Sequence, residues 1–304
     1  MTLHHGGRDA EIGTGHGATD WAEARGVKWL RNIAGMEAML APIDAPLIEA
    51  LRLSGPCRIG DLGCGGGATT RSIAERAAPG STVTGIDIAP VLLERAKQTA
   101  GAAGIDTAFH RADIGRDPPP GGAFDRLASR FGIMFFDAPD AAFRNLRGWL
   151  VPGGRIAFAV WAAPADNPWM TTVRDVVAGL IGLPPVDPKA PGPFRYAEPD
   201  RLIAELAGAG FGTLDARAWH GALPIGGSGS PAEAAAFALS SFATFEEMLL
   251  DAGGAMARAE AERRLTTVFA RHLDDGAVRL AASVHIVTGD VSSEATGDGL
   301  GDTG

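Results

Sequence analysis

From residue 21 to residue 53 apolar side chains recur at three- and four-residue spacing: Trp21, Trp29, Ile33, Met36, Met39 and Leu40. That spacing predicts helix, and Pro42 with Pro46 divide it into two. Then the period changes. Short apolar runs at 57–62, 82–87, 107–111, 124–131 and 154–161 read as strands. Helical patterns at 68–78, 90–101 and 139–150 lie between them, the second with Pro90 in its first turn. A helix at 198–209, a strand at 212–220 and a last strand at 280–288 complete the pattern. Regular strand–helix alternation with apolar strands predicts an α/β fold, a doubly wound sheet of seven mostly parallel strands with helices on both faces.

Two stretches interrupt the alternation. Residues 165–195 are punctuated by prolines, and Gly226-Gly227-Ser228-Gly229-Ser230 opens a helical stretch running to about residue 275. Connections this long are lids or binding elements more often than passive loops. The expected organisation is a disordered head (1–18), N-terminal helices (19–53) and a ligand-binding core (54–164). Helical cap insertions (165–195 and 230–275), the rest of the core (196–229 and 276–288) and a disordered, Gly-rich tail (289–304) follow.

Composition narrows the class. Of 304 residues, 46% are hydrophobic and 21% charged, enough for a real core. No apolar run approaches the roughly 20 residues that cross a bilayer, and residues 1–17 hold no apolar segment of the secretory type. Cys57 and Cys64 cannot build a disulfide framework, and no metal cluster accompanies them. The expectation is a cytoplasmic protein off the membrane. The net charge of −9 disfavours a nucleic-acid partner, and the pattern specifies no oligomeric state. The single tyrosine, Tyr196, has Asp200 four residues on, which excludes a Tyr-x-x-x-Lys mechanism.

In a doubly wound fold the ligand lies beyond the carboxyl ends of the strands. Those ends carry Asp61 with the loop Gly63-Cys64-Gly65-Gly66-Gly67, then Asp87, Asp113, Ser129 with Arg130, Trp161 and His220. The glycine spacing nominally satisfies a dinucleotide fingerprint, with Asp87 as the ribose acid. Asp61 separates the readings, because a carboxylate there would repel a diphosphate. A ligand carrying ammonium and sulfonium cations makes the same carboxylate an asset, and S-adenosylmethionine (SAM) is such a ligand. Asp87 and Ile88 would meet the ribose, and Asp113 the adenine amino group, with Ala112 and Ile114 flanking the ring.

Ile59-Gly60-Asp61-Leu62-Gly63-Cys64-Gly65-Gly66-Gly67 resembles the first motif of class I SAM-dependent methyltransferases. Gly85-Ile86-Asp87-Ile88 is similar to their second-strand acidic motif, and Arg111-Ala112-Asp113 to their adenine motif. The segments 124–132 and 150–155 match the fourth- and fifth-strand signatures. Ser129-Arg130-Phe131-Gly132 and Asn167-Pro168-Trp169 resemble the ubiquinone/menaquinone-biosynthesis-like, type 11, small-molecule branch. The resemblance spans residues 21–288. It implies a Rossmann-like methyltransferase that uses SAM and methylates an oxygen, nitrogen or carbon of a small molecule; the acidic composition and the apolar, proline-rich cap point to a hydrophobic or aromatic acceptor. Asp61, Gly63, Gly65, Asp87, Ile88, Ala112, Asp113, Ile114 and Ser129 would hold SAM.

His220 is the histidine placed for a general base and Arg130 the cation placed for an anionic acceptor. Their plainer readings are an edge histidine and an ion pair with a rim carboxylate. Trp21 and Trp29 are either a lid or core. Trp169, Phe237, Phe242, Phe245 and Met248 give the insertions apolar faces. Two other readings stay open: a nicotinamide-dependent oxidoreductase and a non-catalytic SAM-binding regulatory protein.

Overall fold

The computed structural model describes residues 21–183 and 191–293. The expected head, Pro184, Pro185, Pro188 and the tail from residue 294 lie outside the described residues.

Seven strands form one sheet: β1 (Arg58–Leu62), β2 (Thr82–Asp87), β3 (Ala108–Arg111), β4 (Phe124–Arg130), β5 (Leu150–Trp161), β6 (Gly212–Pro224) and β7 (Ala277–Asp290). Their order is β3-β2-β1-β4-β5-β7-β6, and a two-residue strand, Leu273–Asp274, pairs with β7 beside this path. The pairs among β1 to β5 are parallel, whereas β7 runs antiparallel to both β5 and β6. The order reverses at β1, between β2 and β4, so a crevice opens where the first glycine loop emerges.

Burial follows position in the sheet. From Arg155 to Trp161 every β5 residue is buried, the mark of a central strand covered on both faces. Edge strand β6 alternates exposed and half-buried positions, and β3 is mostly exposed. Trp149, Tyr196, Phe124, Phe143 and Phe158 are among the largest side chains wholly inside the core.

The N-terminal stretch is more broken than its proline pattern suggests. A π-turn (Trp21–Arg25) leads into α1 (Gly26–Arg31), α2 (Ile33–Leu40), a 3₁₀ turn (Ala41–Ile43) and α3 (Asp44–Ala50). Asn32 leaves helical geometry between α1 and α2, and Pro46 lies in the first turn of α3, where its missing N–H costs no helical bond. α4 (Ala68–Arg76), α5 (Pro90–Ala103), α6 (Pro139–Gly148) and α8 (Pro199–Gly208) are the helices between strands.

The insertions fold as helices. Asn167 precedes α7 (Pro168–Ile181), and the second stretch supplies α9 (Pro231–Ser241) and α10 (Ala243–Phe269), which kinks at Gly254. Ser230 starts α9 with a capping box: its Oγ accepts from the Glu233 N–H, and the Glu233 carboxylate accepts from the Ser230 N–H.

Three boundaries differ from expectation. β5 begins at Leu150, so Pro152-Gly153-Gly154 lies inside a strand rather than a turn, with the Gly153 N–H donating to the Val291 carbonyl. β6 continues to Pro224, past a Gly-Ala stretch with too little hydrophobic alternation to read as strand. β7 runs to Asp290 and Val291 is only 2% exposed, so the expected disordered tail does not begin at 289.

Asn167 ties α7 to the sheet. Its side chain is fully buried and donates to the carbonyls of Ala162, Ala163 and Ser283, while its Oδ1 accepts from the Ser283 N–H at 3.1 Å. Asn167→Ala leaves those groups unpaired in a dry interior and is expected to cost about 2–4 kcal/mol. Urea unfolding checks this: the midpoint should fall while the slope stays as in the native chain.

Candidate active site

A cavity of about 1340 Å³ opens over the carboxyl ends of β1, β2 and β4. Its floor is the loop after β1. The Gly63 and Cys64 N–H groups donate to the Ile86 carbonyl at 2.8 and 3.1 Å, bending the chain back over β2. Gly63, Gly65 and Gly67 all have left-handed φ, of +66°, +54° and +80°. A Cβ on Gly65 would meet only Trp29 Nε1, at 3.7 Å, so the loop presents bare backbone to the cavity.

Two carboxylates anchor this floor. Asp87 is 9% exposed; its Oδ2 accepts from the Gly65 N–H and its Oδ1 from the Ala89 N–H, both at 2.8 Å. A carboxylate offers about four lone-pair sites, so acceptor capacity remains at Asp87. Asp61 is 1% exposed and accepts from Thr70 Oγ1 at 2.7 Å. Burial pushes both carboxyls up, Asp61 to about 7. For Asp61 the Thr70 hydroxyl and the Arg130 charge pull the other way, and the neighbouring Asp44 and Asp87 add to the rise. Asp61 is thus a buried acid at the cavity wall whose carboxyl is raised toward neutral pH.

Asp61, Gly63, Gly65, Asp87, Ile88, Ala112, Asp113 and Ile114 all line the cavity. Asp113 is already engaged: its Oδ1 accepts from the Gly115 N–H at 2.9 Å and its Oδ2 pairs with Arg116 Nε at 2.7 Å. Ser129 does not line the cavity. It is fully buried and its Oγ donates to the Leu62 carbonyl at 2.8 Å, stitching β4 to β1 beneath the floor. Its hydroxyl is a strap, not a ligand contact.

His220 is not brought to the site. It lies exposed within edge strand β6, opposite Ser283, four residues before the strand's end, and is absent from the cavity wall. The early end read for β6 had placed it at the rim. Arg130 does line the cavity, but its Nη1 is paired with Asp44 Oδ1 at 3.0 Å. Asp44 also accepts from Thr69 Oγ1 and Ser72 Oγ, so α3, α4 and β4 meet at one carboxylate. Asp44 lies 17 positions before Asp61, inside a helical pattern, and nothing local marked it.

The opposite wall is aromatic. Phe131 stacks on Trp161 with ring centres 4.1 Å apart and planes 5° from parallel. Trp161 meets Trp169 at 5.0 Å, Trp169 meets Phe242 at 5.7 Å, and Phe242 meets Phe245 at 5.6 Å. This ladder runs from β4 and β5 into α7 and α10, and Met248 lines the cavity beside it. Phe237 does not; it packs against Gly35 and Gly226 instead. Phe131 has φ +66°, a strained conformation for a bulky residue, which its stacking and its N–H to the Ala159 carbonyl hold in place. Trp21 and Trp29 both line the cavity, edge-on to each other, with Trp21 also against Phe135.

Among the described residues no group of three or more His, Cys, Asp or Glu side chains is arranged to hold a metal, and no helix is long and apolar enough to cross a membrane.

Residues 59–154 match the methyltransferase domain family. Demethylmenaquinone methyltransferase of Thermus thermophilus is 32% identical over 167 residues, covering 51% of this chain and 74% of that protein. Nocamycin O-methyltransferase of Saccharothrix syringae is 34% identical over 194 residues, 62% of each chain. Among solved structures, a putative methyltransferase from Bacillus halodurans superposes with a TM-score of 0.53 at 15% identity, covering 82% of this chain and 98% of that one. The [4+2]-cyclase SpnF gives 0.50 at 19% identity, covering 83% and 80%. The two structures share the fold; the sequence relatives carry the family. The chain belongs to the class I SAM-dependent methyltransferases of the type 11 kind.

Proposed function

We propose that this enzyme uses the acidic, glycine-floored end of the cavity for SAM and the aromatic end for a small, flat, hydrophobic acceptor, methylated at oxygen, nitrogen or carbon. The observation that carries this reading is the division of one cavity into two chemically unlike walls. Asp61 and Asp87 at one wall suit a cationic amino acid joined to a ribose. The ladder from Phe131 to Phe245 suits an unsaturated ring system.

The residues fit SAM. The open space above Gly65 admits a ligand to the backbone, the free lone pairs of Asp87 suit vicinal hydroxyls, and Asp61 suits an ammonium. Ala112 and Ile114 would flank the adenine; Asp113 would turn from Arg116 to reach its amino group. Bound SAM supplies an activated methyl: as the new bond forms to the acceptor, the carbon–sulfur bond breaks and its electron pair stays on sulfur. The protein's share is alignment and exclusion of water. The glycine floor fixes one partner, the aromatic ladder the other, and Trp21 and Trp29 cover the junction. The two unpaired thiols, Cys57 and Cys64, suit a reducing, cytoplasmic setting.

Calorimetric titration of the native chain should show SAM and its demethylated product binding and NAD not binding. Asp87→Ala should weaken SAM by about tenfold or more through loss of charge-assisted bonds. NAD binding, or unchanged SAM affinity in folded Asp87→Ala, would overturn the assignment. Turnover with a panel of aromatic acceptors then separates an enzyme from a silent SAM binder.

Because the Asp61 carboxyl is raised in the free protein and a bound ammonium favours its charged form, SAM binding should release a proton near neutrality. Affinity should therefore hold above pH 7 and fall by up to about tenfold per unit below it. Asp61→Asn should bind more weakly at pH 8 and lose that dependence. Titrations in two buffers of different ionisation enthalpy count the proton directly.

His220→Ala should leave turnover within about threefold, since a general base contributes about 10²–10⁴. Stopped-assay rates at saturating SAM decide it.

A further inference from the structure

Arg195 differs from four other basic side chains of the cavity. Lys28, Arg116, Arg130 and Arg174 each have a carboxylate within 4.0 Å. Arg195 also lines the cavity and is 8% exposed, yet no carboxylate among the described residues pairs with it. Its Nη1 donates to the Phe136 carbonyl and its Nε has no partner. A buried guanidinium without a counter-ion is costly, and structures that keep one give it an anion.

Its mounting is rigid. The guanidinium lies 5.9 Å from the centre of the Tyr196 ring, and Tyr196 is wholly buried with its hydroxyl donating to Glu205 at 2.7 Å. Glu205 in turn holds Arg201, so that carboxylate is spent on α8 and does not serve Arg195. The loop carrying Arg195 is tied to the segment after β4 by the Gly192 N–H and the Met134 carbonyl, and Met134 lines the same cavity. The charge is therefore held in place before any ligand arrives.

We infer that Arg195 binds an oxyanion of the acceptor, so that the substrate class is a flat, apolar acid: an aromatic or conjugated carboxylate, or an enol or phenol that binds ionised. This rests on the methyltransferase reading of the cavity and adds the acceptor's charge to it. The chemistry is consistent with the missing base. An acceptor that arrives as an oxyanion has no proton to surrender: its own lone pair forms the carbon–oxygen bond, and the anionic charge and the donor's sulfonium charge are both consumed. A carboxylate would leave as a methyl ester, a phenolate as a methyl ether. Arg195 would pay for ground-state binding mainly, since the charge it holds is lost in transfer, which also favours release of the neutral product.

The test compares 2-naphthoate with 2-naphthamide, an acid and its neutral isostere, by calorimetry on the native chain in the presence of S-adenosylhomocysteine. The acid should bind about tenfold or more tightly than the amide. In Arg195→Gln that preference should fall below about threefold, and Arg195→Lys should recover part of it. 4-Nitrophenol, titrated on either side of its ionisation, reports whether phenolates are taken as well as carboxylates. SAM affinity, measured on the same variants, should stay within about twofold of the native value. Equal binding of acid and amide by the native chain, no binding of the acid, or a preference that survives Arg195→Gln would each overturn the inference. These readouts leave SAM binding intact, so failure here is distinct from failure of the methyltransferase reading, which would appear as lost SAM affinity in the native chain.

Discussion

The site depends on the burial of two carboxylates at the ends of adjacent strands. Taking Asp61 and Asp87 out of water is costly, and each is compensated differently. Asp87 spends acceptor capacity on backbone N–H groups of the two loops beside it, Gly65 and Ala89. It thereby sets the shape of the floor before any ligand binds. Asp61 accepts one hydroxyl bond, and its burial outweighs both that bond and the nearby Arg130 charge, so its carboxyl rises to about 7. One acid organises the loop and the other lines the cavity with its carboxyl raised. That asymmetry makes the floor rigid in shape but responsive in charge.

The same economy extends outward through Asp44. It takes the Arg130 guanidinium from β4 and two hydroxyls from α4, so the helix before β1 is coupled to the strand beside it. Arg130 is thus neutralised from behind while still lining the cavity. Its charge is a structural tie of the active site, whereas Arg195 has no carboxylate partner among the described residues. The two arginines look alike in sequence; their partners separate them.

The glycine loop, the three acids and the strand–helix alternation were legible because each follows from local rules: apolar period, glycine spacing, and the placement of ligands at strand ends. The α7 and α10 aromatics were legible as apolar faces. What was not legible required pairing across the chain. β6 outran its hydrophobic signal through Gly221 and Ala222, which moved His220 from the rim to the middle of an edge strand. Ser129 looked like a ligand contact until its hydroxyl was found spent on Leu62. Asp44 and Arg195 carry no motif at all; only the three-dimensional list of what each does or does not touch gives them meaning.

The aromatic ladder shows how one fold divides its duties. The strained Phe131 at the end of β4 stacks on Trp161 at the end of β5, and from there the rings pass into helices that the core does not need for its own sheet. Asn167, fully buried between β5 and α7, fixes where that passage begins. The floor is therefore built by short-range geometry, with little freedom to vary. The aromatic wall is built by long insertions, where length and side chains can change without disturbing β1 or β2. A substitution in the ladder should reshape the aromatic wall and leave the acidic end as it is, because no hydrogen bond of Asp61 or Asp87 passes through it.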